Sequence, residues 1–139
     1  MGQNTRSDVL RRALEACIVG NVDALPDLFT EEVSGWSPNM LVGSLGELSE
    51  VVADRDGSLS DVSLQINALD VFGNKGFVEY RVSAVFSGPF VITDTTVIEP
   101  NGETIVVGAA MAAEFEGNKI SAFRNYFDDM TLMEQMLFA

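Results

Sequence analysis

The stretch Ile120–Leu137, ISAFRNYFDDMTLMEQML, decides how the rest of the chain is read. Its first half alternates as a strand and offers Phe123, Tyr126 and Phe127 to a core. It then meets two adjacent carboxylates, Asp128 and Asp129, and continues as an apolar helix. A strand that closes on an acid places that acid at the mouth or floor of whatever the sheet encloses. Asp128 is therefore the candidate general acid/base, with apolar surroundings raising its pKa. A competing reading stands beside it: a strand-end carboxylate caps the next helix, as Asp129 would do through the amides of Thr131 and Leu132.

Upstream, the turn EGNK joins this strand to Thr104–Glu116, which is apolar on both faces. Val107, Ala109, Met111 and Ala113 share one face; Val106, Gly108, Ala110 and Ala112 share the other. Helices cover one side of such a sheet, so the second side needs a cover of its own. A homodimer through the sheet supplies it, and a loop of the same chain is the alternative. Further upstream, Ser63–Phe72 reads as a strand turned by GNKG into Phe77–Phe86. There Val78, Tyr80, Val82, Ala84 and Phe86 oppose Glu79, Arg81 and Ser83, the period-two split of a half-covered antiparallel strand. Gly88-Pro89 bends the chain, and Thr95–Glu99 is extended before the PNGE turn.

The N-terminal third has helical spacing instead. Thr5–Val19 carries Val9, Leu10, Ala13, Leu14, Cys17 and Ile18 on one side and ends at Gly20-Asn21. Asn21 caps a second predicted helix, with Pro26 in an early turn and Leu25, Leu28, Phe29 and Val33 on one side. Ser44 and Glu47 form a capping box for a third, through Leu45, Leu48, Val51 and Val52. Helices followed by antiparallel strands predict an α+β domain spanning residues 1–139.

Composition narrows the chemistry. The chain has 139 residues, with 8 basic against 21 acidic and a formal charge of −13. Such a surface repels nucleic acid and anionic lipid, so neither is an expected partner. Histidine is absent, which excludes Ser–His–Asp and Cys–His relays and His-based metal sites. Cys17, the one cysteine, makes no internal disulfide and suits a reducing compartment. Neither a spanning apolar run nor a signal-peptide pattern is visible, and the expected location is cytoplasmic.

Four segments carry a family resemblance: GF-x-EYRV, SGPF, EFEGNKI and AFRNYFDDMTLMEQM. With the helices before them, they resemble the SnoaL-like branch of the nuclear transport factor 2-like superfamily over about residues 5–137. The resemblance implies a cystatin-like cone: a curved antiparallel sheet wrapped around three N-terminal helices, a deep apolar pocket, and frequent dimerisation through the sheet. Members include polyketide cyclases, limonene-type epoxide hydrolases, ketosteroid isomerases, dehydratases and non-catalytic binding domains. In that pattern Asp128 takes the position of a catalytic acid, and no metal or cofactor is implied.

Other family features are missing. Where the epoxide hydrolases have Arg-x-Asp, this chain has Asp94 and Thr96; Ser37-Pro38, Ala13 and Phe86 replace further family residues. The expected ligand-binding residues are Trp36, Tyr80, Asp94, Met111 and Tyr126. Trp36 is a pocket wall or a core residue, Asp94 a pocket carboxylate or a loop acid, and Tyr126 a ligand hydroxyl or a core ring. The expected activity is binding of a small apolar or polycyclic molecule, with cyclase, isomerase or dehydratase chemistry at Asp128. The alternative is a non-catalytic binding or dimerisation module; epoxide hydrolysis ranks below both because the bridging arginine is missing.

Overall fold

The computed structural model describes residues 5–93 and 95–137. Helix α1 (Arg6–Val19) begins at Thr5, whose hydroxyl accepts from the Asp8 amide, and ends at Gly20 in the left-handed region, φ 80°. The second predicted helix is much shorter than its apolar spacing suggested. A 3-10 turn (Val22–Ala24) runs into a single helical turn, α2 (Leu25–Leu28), and the chain is extended from Phe29 onward. Strand β1 (Phe29–Ser37) buries Phe29, Val33, Gly35 and Ser37, so Val33 reaches the core from a strand rather than a helix. The pairing with β8 shifts register between Phe29 and Ser34, and Phe29 and Val33, four apart, both face inward as strand alternation requires.

Strand β2 (Met40–Val42) returns antiparallel on β1, and α3 (Leu45–Asp54) follows. The capping box holds in a modified form: Ser44 Oγ accepts from the Glu47 amide, while Glu47 reaches back to the Gly43 amide at 2.6 Å. Then come β3 (Leu59–Phe72), β4 (Lys75–Phe86), β5 (Phe90–Thr93), β6 (Thr96–Ile98), β7 (Thr104–Glu116), β8 (Lys119–Phe127) and α4 (Asp129–Leu137). The fold is α+β, with a curved, mostly antiparallel sheet. Its main sheet has the order β2-β1-β8-β7-β4-β3, and β5–β6 form a separate hairpin. One pairing departs from the antiparallel expectation: β1 lies parallel to β8, with Gly35 opposite Phe123.

One face of this sheet holds the core with α1, α2 and α3. Phe29 and Phe123 stack at 5.6 Å, and Gly35 leaves the space that the Phe123 ring fills. A Cβ at Gly35 would overlap that ring. Arg6 fastens α1 across the end of the sheet, donating to the carbonyls of Gly117 and Gly73 at the two hairpin turns. At the other end β8 stops at Phe127 while β7 continues toward Thr104, leaving backbone groups of β7 without a strand partner. Gln135 of α4 takes that place: its amide accepts from Val106 N–H at 2.6 Å and donates to Val106 C=O at 2.9 Å. Asn101 donates to the last carbonyls of α4, Gln135 and Met136, each at 3.0 Å. The helix is thereby latched over the sheet at both its inner face and its end. Among the described residues no helix is long and apolar enough to cross a membrane.

Candidate functional site: a cavity between sheet and helices

Between the inner sheet face, α1, α3, α4 and β5 lies a cavity of about 200 Å³. A cavity of about 150 Å³ accommodates benzene, so this one suits a ligand of one or two rings. Most of the wall is apolar, built from helix residues such as Leu14 and Ile18, strand residues such as Val82, Ile105 and Met111, and Leu132 and Met136 of α4.

Two polar groupings interrupt this wall. The first is Tyr80 with Asn125, on the inner faces of β4 and β8. The phenol donates to Asn125 Oδ1 at 2.7 Å. Tyr80 is only 4% exposed, and burial pushes its phenol up to about 12 against the opposing effect of the Asn125 hydrogen bond. Cys17 of α1 also faces the cavity, and burial pushes its thiol up to about 12 as well.

The second grouping is Ser37, Asn39, Arg55 and Ser58. Arg55 ends α3 and sends two N–H groups to Asn39, one to Oδ1 and one to the carbonyl, each at 3.3 Å. Its guanidinium lies 4.9 Å from the Phe90 ring centroid, a cation–π contact. Asn39 is in turn held by the Ser37 hydroxyl at 3.0 Å and donates to Asp129 at 3.4 Å. Buried Ser58 donates to the Pro89 carbonyl at 2.6 Å, and its own carbonyl accepts from Ser87 and Gly88. Those bonds bring the segment before Phe90 against the turn after Arg55.

The structure separates the residues that the sequence had grouped. Tyr80 and Met111 line the cavity. Asp128 does not: it is exposed, and its carboxylate accepts from the Thr131 hydroxyl at 2.8 Å and the Thr131 amide at 3.2 Å. These bonds from Thr131 hold its pKa below the ordinary carboxylate value, opposite to the rise expected of a pocket acid. Strand parity is the cause. Phe123, Asn125 and Phe127 point inward, so Arg124, Tyr126 and Asp128 have the outward parity. The helix-capping reading describes Asp128, with Asp129 opening α4 behind it.

Trp36 and Tyr126 lie outside too. They are 40% and 48% exposed and stack on each other on the outer sheet face, centroids 5.3 Å apart. Asp94 falls outside the described residues. Sequence reasoning overlooked Asn125, Asn39 and Arg55. For Asn125 a signal was present: a lone amide between Phe123 and Phe127 at the same parity is a polar residue on an apolar face.

No protein-family model matches the chain, and no curated protein matches its sequence. Solved structures do match. A protein assigned as a SnoaL-like polyketide cyclase from Jannaschia sp. CCS1 superposes with a TM-score of 0.82 at 14% identity, over 96% of this chain and 92% of that one. TsrD from Streptomyces laurentii gives 0.78 at 16% identity, covering 100% and 99%. An LEH-like epoxide hydrolase of M. tuberculosis gives 0.70 at 10% identity, covering 95% and 89%. The chain shares the fold of these SnoaL-like and LEH-like proteins, the α+β fold that the resemblance implied. At these identities the likeness is one of fold, and the fold hosts more than one chemistry.

Proposed function

We propose that this protein binds a small apolar compound of one or two rings and orients an oxygen of it against Tyr80 and Asn125, without itself transferring a proton. One observation carries the reading: among the described residues no Asp or Glu lines the cavity. The titratable O–H and S–H groups that do, Tyr80 and Cys17, are both pushed up to about 12. Proton transfer near neutral pH needs a group whose pKa lies close to the working pH, and neither qualifies. The pair is suited to recognition instead. With the phenol proton directed at Asn125 Oδ1, the amide N–H groups of Asn125 are available to a ligand carbonyl, and the phenol oxygen to a ligand hydroxyl.

We further propose that the outer sheet face, with Trp36, Tyr126, Val106 and Gly108, receives a second copy of the chain. Partly exposed aromatic and small residues on one face support this reading.

The test is a thermal-shift and calorimetric screen with one- and two-ring ketones, phenols and lactones, each also incubated for turnover. The expected result is saturable binding, unchanged ligand, and weaker affinity in Asn125→Ala. Turnover that Asp128→Asn abolishes would instead support the rival reading of a catalytic acid at the strand end.

A further inference from the structure

Among the described residues, Arg55 is the only Lys or Arg that lines the cavity. Its surroundings fix it without neutralising it. Both of its hydrogen bonds go to the neutral Asn39, and at 3.3 Å they are long for a charged donor. No carboxylate among the described residues lies within ion-pair distance of it; the ion pairs present are Asp8–Arg12, Glu114–Lys75 and Glu114–Arg124. Asp129 and Asp54 act on it only from farther away. Burial consequently lowers the Arg55 pKa, with those two acids opposing the shift. The end of α3 contributes a partial negative charge, since Arg55 is its C-terminal cap. The Phe90 ring lies against the guanidinium, 4.9 Å from Cζ to its centroid.

We propose that Arg55, with Asn39 as its positioning residue, recognises a carboxylate on the cavity's ligand; this rests on the reading that the cavity binds a small apolar compound. A guanidinium offers five N–H donors, and two are used here. Its remaining edge matches the flat, two-oxygen acceptor of a carboxylate. Arg55 is half-buried beside an apolar wall, so the ion pair would be screened less than on the open surface. The charge count selects a monoanion. A phosphate dianion would keep an uncompensated charge beside an apolar wall and within reach of Asp129. The ligand class is thus an apolar carboxylic acid of one or two rings. The protein's charge of −13 repels such an anion at long range, so its association should quicken as salt screens the surface.

Three matched probes test this by fluorescence titration: naphthalene, 2-naphthamide and 2-naphthoate, against the parent, Arg55→Met and Arg55→Lys. Circular dichroism checks the fold of each variant. The parent should bind 2-naphthoate about tenfold or more tighter than 2-naphthamide, the gain of a desolvated charged hydrogen-bond pair. Arg55→Met should bring the two affinities together, and Arg55→Lys should retain part of the preference. Equal affinities in the parent, or a preference that survives Arg55→Met, would overturn the proposal. Binding of naphthalene and 2-naphthamide without 2-naphthoate sinks the carboxylate proposal and leaves the cavity reading standing. Binding of none of the three removes both. Should Arg55→Met not fold, the parent's ratio and Arg55→Lys decide.

Discussion

Asn125 and Tyr126 are adjacent in β8 and belong to different environments. Asn125 faces the cavity and accepts a hydrogen bond from a phenol that is almost fully enclosed. Tyr126 faces out, stacked on Trp36 with nearly half its surface exposed. The same contrast runs along the sheet: on β7 Met111 is buried, while Gly108 on the opposite face has open space around it. A polar side chain inside this protein therefore has a specific partner, whereas an aromatic one outside keeps only a neighbour. Exposure alone would have misled, because Trp36 and Tyr126 look like ligand-stacking rings until the strand parity is known.

Glycine substitutions break this comparison most severely. Gly35→Ala should destabilise the fold by about 1–3 kcal/mol, since the added methyl meets the Phe123 ring in a packed interior. Gly108→Ala should be neutral or gain roughly 0.5 kcal/mol, because its Cβ meets nothing and strand glycines lose entropy on folding. Urea melts of both variants measure the two effects, and similar losses would mean that the faces are not as different as described. Hydrogen bonding gives the next largest contrast. Asn125→Leu leaves the buried Tyr80 hydroxyl without its acceptor and should cost about 1–3 kcal/mol. Tyr126→Ala, outside, should cost less than about 1.5 kcal/mol, the upper range for an aromatic pair.

The proposed second copy on the outer face sharpens the contrast further. Gly108→Arg should leave the monomer folded but abolish association, and in the parent association should strengthen with ionic strength as like charges are screened. Sedimentation velocity at low and high salt reads this, and a parent that is monomeric at both salts at micromolar concentration ends the idea. The smallest effect belongs to Asp128. Its folded pKa is depressed, so its contribution to stability is present above the unfolded value of ~3.9 and is lost as pH falls through the folded pKa. Asp128→Asn should be slightly less stable than the parent at neutral pH and converge with it in acid. A variant more stable than the parent at neutral pH would return Asp128 to an apolar environment.

Most of the framework was legible in the chain. Thr104–Glu116 is a strand with those bounds, the Ser44 cap is in place, and Val78–Phe86 alternates as its residues dictate. Periodicity failed at Phe29–Val33, because a spacing of four puts residues on one face in a strand as well as in a helix. The site was less legible because it is assembled from distant segments. Arg55 sits in DRDGS, a polar run that closes α3 and carries no sign of a ligand contact. The Ser58 bonds to Pro89, Ser87 and Gly88 pin the segment carrying Phe90 beside it and make it part of the cavity wall. Asp128 misled for a simpler reason: one residue of parity separates a pocket acid from a helix cap.

The parallel pairing of β1 with β8 has a consequence for how the binding chamber comes into being. Phe29, released early during synthesis, cannot find its partners until Ile120 and Phe123 have been made. Until then β1 has only the short β2 beside it, and the inner wall lacks Asn125 and the α4 latch. Such distant closure is slow compared with local hairpins, and the nascent chain carries exposed apolar surface meanwhile. Chamber and native state thus appear together, so a compound that occupies the finished chamber should slow unfolding while leaving the early steps of folding untouched.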